Sequence, residues 1–218
     1  MGYRMRRGLF FCVTGGRSIF LDVEADRYFG IKPGWDQAFQ ALVADDIAGP
    51  ELSSLIDAGI LVEDDAVGGI TRPPAILPAT KEMSVERVWP ISGLGLRFII
   101  AQIEVVIALR TRTFSNVLRP IADHASIVGP GRTAGLDPEW KPFVSAFFSS
   151  SALRPRSGHC LTNSIAFMRV AQSLGFKAEL VLGVCAAPFS AHCWVQADGH
   201  VLNDRLENIR NFEPILTI

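Results

Sequence analysis

Between residues 9 and 31, apolar and polar positions fall into short blocks. LFFCV ends just before Gly15-Gly16, a dipeptide that tolerates the positive φ of a tight hairpin. SIFLD follows, then a polar turn at 24–26, then RYFGI. These blocks predict three short strands. The period then lengthens. Trp35, Ala38, Phe39 and Leu42 fall at i, i+3, i+4 and i+7, which is helix spacing. Leu52, Leu55 and Ile56 repeat it between Pro50 and Gly59, where the glycine suits the left-handed residue that ends a helix. Ile60-Leu61-Val62 reads as a returning strand, so the first 66 residues read as strands, helices and a wing.

Residues 67–90 hold Gly68-Gly69, Pro73-Pro74, Pro78 and Pro90, a composition across which few contacts are expected, and read as a linker. A second domain over 91–218 opens with helical patterns at 94–109, 113–125 and 138–148. The next helix, 160–174, is apolar on most of its circumference and should be buried, with Gly175 ending it. Three strands follow: KAELVLGV, AHCWVQA and, after Asp198-Gly199, HVLND. The fold class is α+β.

Composition allows a core and excludes a disordered chain, with 49% hydrophobic and 20% charged residues in 218. Four cysteines are too few for a disulfide scaffold. The start is a poor signal peptide, and the longest apolar stretch, 94–109, carries Arg97, Gln102 and Glu104. A cytoplasmic protein with reduced thiols and no membrane partner is expected. The net charge of -1 conceals a split. Residues 1–32 carry six basic and three acidic side chains, whereas 33–66 carry eight acids and no Lys or Arg. A winged helix can bind DNA, but the would-be recognition helix at 50–58 holds Glu51 and Asp57 and no base, so it would repel phosphate. No nucleic-acid partner is expected.

Cys160 stands where a polar, breaker-rich run, RPRSGH, gives way to a helix. A thiol at a helix N-terminus feels the positive end of the macrodipole, which favours the nucleophilic thiolate. Arg154, Arg156 and His159 add charge of the same sign nearby. A free cysteine alone is more often a small buried hydrophobe. His192, 32 residues on, strengthens the catalytic reading. Its strand would show His192 and Trp194 on one face, Cys193 and Val195 on the other. A histidine base needs a third group to hold its tautomer, and the turn at Asp198-Gly199 decides which residue that is. A two-residue loop pairs His192 with Arg205 and turns Asn203 toward it. A three-residue loop over 197–199, with Gly199 left-handed in a bulge, sets Asp204 directly opposite. We expect the three-residue loop and hence Asp204. A zinc site built from Cys160, Cys185, His192 and Cys193 is disfavoured, because spacings of 25 and 7 match no zinc knuckle and neighbours on a strand point apart. No metal or other cofactor is expected.

Four motifs carry a family resemblance: Cys-Leu-x-x-Ser at the helix start, Leu-Gly-Val, Pro-Phe-x-Ala-His-x-Trp-Val, and Asn-Asp after the hairpin. Together, over 160–204, they resemble the cysteine-protease B proteins of lasso-peptide biosynthesis, which belong to the transglutaminase-like, papain-related superfamily. The family usually has a small residue where this chain has Cys193. The resemblance implies a transglutaminase-like cysteine-protease domain with a Cys-His-Asp triad on Cys160, His192 and Asp204. Residues 1–66 resemble the winged-helix-like, PqqD-like element that binds leader peptides of ribosomally made natural products. The resemblance then implies a leader lying antiparallel along the strand 27–31, beside 51–56, with Arg27, Tyr28, Phe29, Glu51, Leu52 and Leu55 as contacts. The periodicity of Phe29, Leu52 and Leu55 also fits plain core packing.

The activity implied is hydrolysis of the leader–core bond of a precursor peptide. The freed core amine is then joined to a side-chain carboxylate by a partner, an asparagine-synthetase-like, ATP-dependent lasso cyclase. Two alternatives stay open: an acyltransferase using the same triad, and a non-catalytic scaffold that delivers the peptide.

Overall fold

The computed structural model describes residues 2–45, 49–64, 79–83, 85, 92–127, 140–151 and 159–218. The chain opens with β1 (Tyr3–Met5), β2 (Leu9–Thr14), β3 (Arg17–Asp22) and β4 (Arg27–Gly30). β2 and β3 are joined by Gly15-Gly16, both left-handed at φ 58° and 72°, so that Thr14 pairs with Arg17. The order in this antiparallel sheet is β2-β3-β4, which leaves β4 as an edge among the described residues. α1 (Pro33–Asp45) and α2 (Leu52–Asp57) follow. α2 ends as the sequence predicts. The Gly59 N–H donates to the Ile56 carbonyl and the Ile60 N–H to that of Leu55, with Gly59 at φ 66°. The returning strand, β5 (Leu61–Glu63), pairs with β1, a strand too short to show a period.

Both faces of the first sheet are buried. Leu9, Phe11 and Phe20 pack with Phe39, Leu42 and Leu55 of the two helices. The alternate residues Cys12, Ile19, Leu21 and Val23 enter the large core of the second half instead. This is the two-residue period of a strand, used twice.

The expected linker at 67–90 lies mostly outside the described residues. Its described part is not all connector: β6 (Lys81–Glu82) joins the second sheet, parallel to β9 (His200–Val201). The second half continues with α3 (Gly93–Thr111), α4 (Phe114–Ile127), α5 (Trp140–Ser151) and α6 (Cys160–Ser173). Then come β7 (Glu179–Ala186), β8 (Phe189–Ala197), the short α7 (Leu206–Ile209) and β10 (Glu213–Thr217). The sheet runs β10-β7-β8-β9-β6. No helix among the described residues is long and apolar enough to cross a membrane.

α6 is the central helix. Ile165, Ala166, Phe167 and Met168 are buried, and Phe167 meets Phe98, Phe143 and Phe147 at ring separations of 5.9, 5.1 and 5.1 Å. Gly175, at φ 78°, closes the helix. On the other side of the sheet Trp194 packs with Val181, Val201 and Ile209. Gly183, opposite His192 in the ladder, makes room for that indole: a Cβ there would lie 2.7 Å from the Trp194 ring.

Candidate active site

Cys160 is the first residue of α6, with His159 at the N-cap. Arg154 and Arg156, the other expected sources of positive charge, lie outside the described residues. His192 sits on β8 beside Trp194 and Phe212, and its neighbour Cys193 turns into the core under α6. Cys160 and His192 line one pocket, close enough for the ring to act on the protonation of the thiol. On the far side of the ring, Nε2 meets Asp204 Oδ2 at 2.6 Å. That leaves Nδ1 for the thiol. The second carboxylate oxygen of Asp204 accepts from the Arg205 N–H and from Asn208 Nδ2, both at 2.7 Å.

Asp204 reaches His192 by a different route from the one the turn arithmetic predicts. The loop has two residues, Asp198 and Gly199, at φ 45° and 74°, and Ala197 pairs with His200. Aspartate tolerates the left-handed region, so Asp-Gly supplies both positive φ values of a type I′ turn and no bulge is needed. A straight ladder in this register would set Asp204 opposite Cys193, away from His192. The chain leaves the ladder after Val201, and this departure brings Asp204 over the histidine. Asn203, the alternative orienting group, turns elsewhere. Its Oδ1 accepts from the Val195 N–H at 2.7 Å and its Nδ2 donates to Ser164 Oγ at 2.8 Å.

The three groups bias one another's protonation. Burial would raise the Cys160 thiol, yet it is held below its ordinary value by the hydrogen bond and charge of His192, helped by the backbone N–H groups of Cys193 and Leu161. Burial would lower His192, but the bonds and charges of Asp204 and Cys160 lift it to about 9. Burial would likewise raise Asp204, and His192, Asn208 and the Arg205 N–H hold it below the usual carboxylate range. The favoured state is therefore a thiolate–imidazolium pair beside a carboxylate. By contrast, burial pushes Cys193 up, and Cys12 up to about 12, so both stay neutral thiols.

A pocket of about 180 Å³ opens on this group. Phe147, Phe148 and Ser151 of α5 and Asn163 of α6 form part of its wall, together with Ser164, Cys193, Asn203, Arg205 and Asn208. The α5 residues and Asn163 were not singled out from sequence; for Asn163 the i, i+3 spacing from Cys160 was the available signal.

The six leader contacts expected in the first domain separate. Arg27 is exposed, with its guanidinium 5.2 Å from the centre of the Phe29 ring. Tyr28 points into the second half, its ring 5.7 Å from that of Phe189. Phe29 stacks on Phe20 at 5.2 Å. Glu51 and Leu52 are half-buried. Leu55 is 0% exposed inside the helix–sheet core and offers no surface to a peptide, so its periodicity reports packing.

A thiol at the N-terminus of a buried helix, sharing a pocket with a histidine–aspartate pair carried by a mostly antiparallel sheet, is an arrangement in which a nucleophile and a base can act together. The model of the transglutaminase-like superfamily matches residues 101–217, and the chain belongs to that superfamily. The matched stretch contains Cys160, His192 and Asp204 and leaves the first sheet outside it. Within its own sequence the chain is similar to the microcin J25-processing protein McjB of Escherichia coli, 47% identical over 45 residues, or 21% of this chain. The similarity spans 22% of that protein's length. No solved structure matches the chain significantly.

Proposed function

We propose that the chain is a leader peptidase. It binds the leader of a ribosomally made lasso-peptide precursor and hydrolyses the leader–core bond with a Cys160–His192–Asp204 triad. The observation that carries this reading is one pocket that holds the thiol at the start of α6 together with His192, itself bonded to Asp204 at 2.6 Å. The similarity to a microcin-processing protein supports peptide maturation as the setting.

The Cys160 thiolate attacks the carbonyl carbon at the end of the leader, and the backbone N–H of Cys160 donates to the oxyanion that forms. Collapse breaks the C–N bond, and the His192 imidazolium gives its proton to the departing amine. The core leaves with a free α-amine and the leader stays on sulfur as a thioester. Neutral His192 then takes a proton from water as the oxygen attacks the thioester. Expulsion of the thiolate releases the leader as a carboxylic acid and restores the ion pair. Asp204 orients the ring and stabilises its charged form throughout.

The first domain acts as a PqqD-like recognition element, in which the leader adds as a strand to the β4 edge and raises the local concentration of the scissile bond. The freed amine passes to an ATP-dependent, asparagine-synthetase-like cyclase. The test is incubation of a candidate precursor with the wild type and with Cys160→Ala, read by mass spectrometry. The expected result is a free leader acid and a core amine, lost by at least about 10³-fold in the variant. Full cleavage by Cys160→Ala overturns the mechanism and favours a peptide-delivery scaffold. Superfamily membership favours one second reading, acyl transfer, for which an amide-linked leader adduct would be the product.

A further inference from the structure

Beside Cys160, His192 and Asp204 runs a second, hydrogen-bonded line whose members also border the pocket. Ser164 Oγ donates to the Cys193 carbonyl at 2.9 Å and accepts from Asn203 Nδ2 at 2.8 Å. Asn203 Oδ1 accepts from the Val195 N–H at 2.7 Å. Each member neighbours one of those three residues. Ser164 is one helical turn after Cys160, Cys193 follows His192, and Asn203 precedes Asp204.

The geometry at the end of β9 gives Asn203 a specific task. The Leu202 N–H still donates to the Val195 carbonyl at 2.9 Å, as a ladder residue would. The Val195 N–H would return the bond to a main-chain carbonyl if the ladder continued. It donates instead to the side-chain carbonyl of Asn203. The side chain thus takes the place of the main chain, and the backbone is free to leave the sheet without orphaning a buried N–H. That departure swings Asp204 over His192. The amide's other end is used as well, tying the bend to the fully buried Ser164 on the helix that carries the nucleophile.

We infer that Asn203, anchored by Ser164, is a positioning residue that holds the Asp204 carboxylate over His192 and fixes both to the helix carrying Cys160. This rests on the triad reading above. Both halves of the amide are required, an acceptor for β8 and a donor for α6, so the site discriminates Asn from Asp or Leu at this position.

Among the described residues, the titratable and charged groups around the triad are His159 at the N-cap beside Cys160, Cys193 on β8, Arg205 paired with Glu207 at 3.2 Å, and Tyr28 from β4, whose hydroxyl is felt electrostatically with Cys160. Asn203→Ala changes none of these charges. The experiment compares the wild type with Asn203→Ala, Ser164→Ala and the double variant, with folding checked by thermal melting. The first readout is the rate of Cys160 alkylation by iodoacetamide against pH, mapped to the residue by mass spectrometry. The second is kcat and KM on the cleaved precursor. Each single variant should move the alkylation midpoint to higher pH and lower kcat about 10²-fold, with KM changed less than about twofold. The double variant should be no worse than the worse single one, because both cut the same contact. An alkylation profile superimposed on that of the wild type in folded variants overturns the inference, and so do additive losses. If Asn203→Ala does not fold, Ser164→Ala leaves the Asn203 acceptor for Val195 in place and removes its anchor on α6 without changing any charge. It should show a shift of the same sign, and an unshifted profile overturns the inference. A wild type that cleaves no precursor defeats the peptidase reading, while the alkylation profiles still decide the role of Asn203.

Discussion

Cys160 keeps a thiolate in a half-buried place because the group it faces is a cation held by a carboxylate. The pH profile of kcat/KM follows from this pairing. Activity needs the thiolate and the imidazolium together, so it rises as pH climbs through the lowered thiol value and falls as pH passes about 9, where His192 loses its proton. Asp204→Asn removes a charge that raises His192, so the basic limb should move to lower pH by roughly one unit or more. A stopped-flow or mass-spectrometric rate series across pH 4–11 checks it (about that range covers both limbs), and a basic limb that stays in place would refute the pairing. Cys160 was legible in sequence from the breaker-to-helix border, and His192 from strand parity. The route to Asp204 was not. Asp198-Gly199 forms the tighter loop, and what redirects the chain is the side chain of Asn203 standing in for a carbonyl, which no periodicity rule reads.

At the scale of elements, the long signals were readable and the short ones were not. The strands β2, β3 and β4 and the helices α1, α3 and α6 show their period over several residues and end at glycine or polar turns. β1, β6 and α7 have 3, 2 and 4 residues, too few for any period, and they exist because a partner already in place pairs with or buries them. The HVLND strand shortens to His200–Val201 for the reason given by Asn203. α2 and β4 share the rim of one apolar cluster, where Phe29, Leu52 and Ile56 are half-buried around the sealed Leu55. If the leader docks along that rim, Leu52→Asp should weaken binding of a fluorescent leader peptide roughly tenfold while leaving the Cys160 alkylation rate unchanged. Equal anisotropy titrations for variant and wild type would place the leader elsewhere.

At the scale of the molecule, two domains tied by a linker is too loose a description. The sheet β2-β3-β4 sends one face into its own helices and the other into the catalytic half, where β2 packs across β10 and β7. A 1–64 fragment would expose Cys12, Ile19, Leu21 and Val23 together, an apolar patch that monomers rarely tolerate. Expressed alone it should self-associate or precipitate, and expressed with 79–218 it should stay in a one-to-one complex on gel filtration; a well-behaved monomeric 1–64 would contradict the shared core. The same two-faced sheet also shapes how this sequence can drift. Phe20 answers to Phe39 and Leu55, a few dozen positions away, while Ile19 and Leu21 on either side of it answer to side chains more than a hundred positions on. Next-door residues of one strand are thus bound to separate histories, and a change at position 20 should be compensated nearby while a change at 19 or 21 is compensated at the other end of the chain.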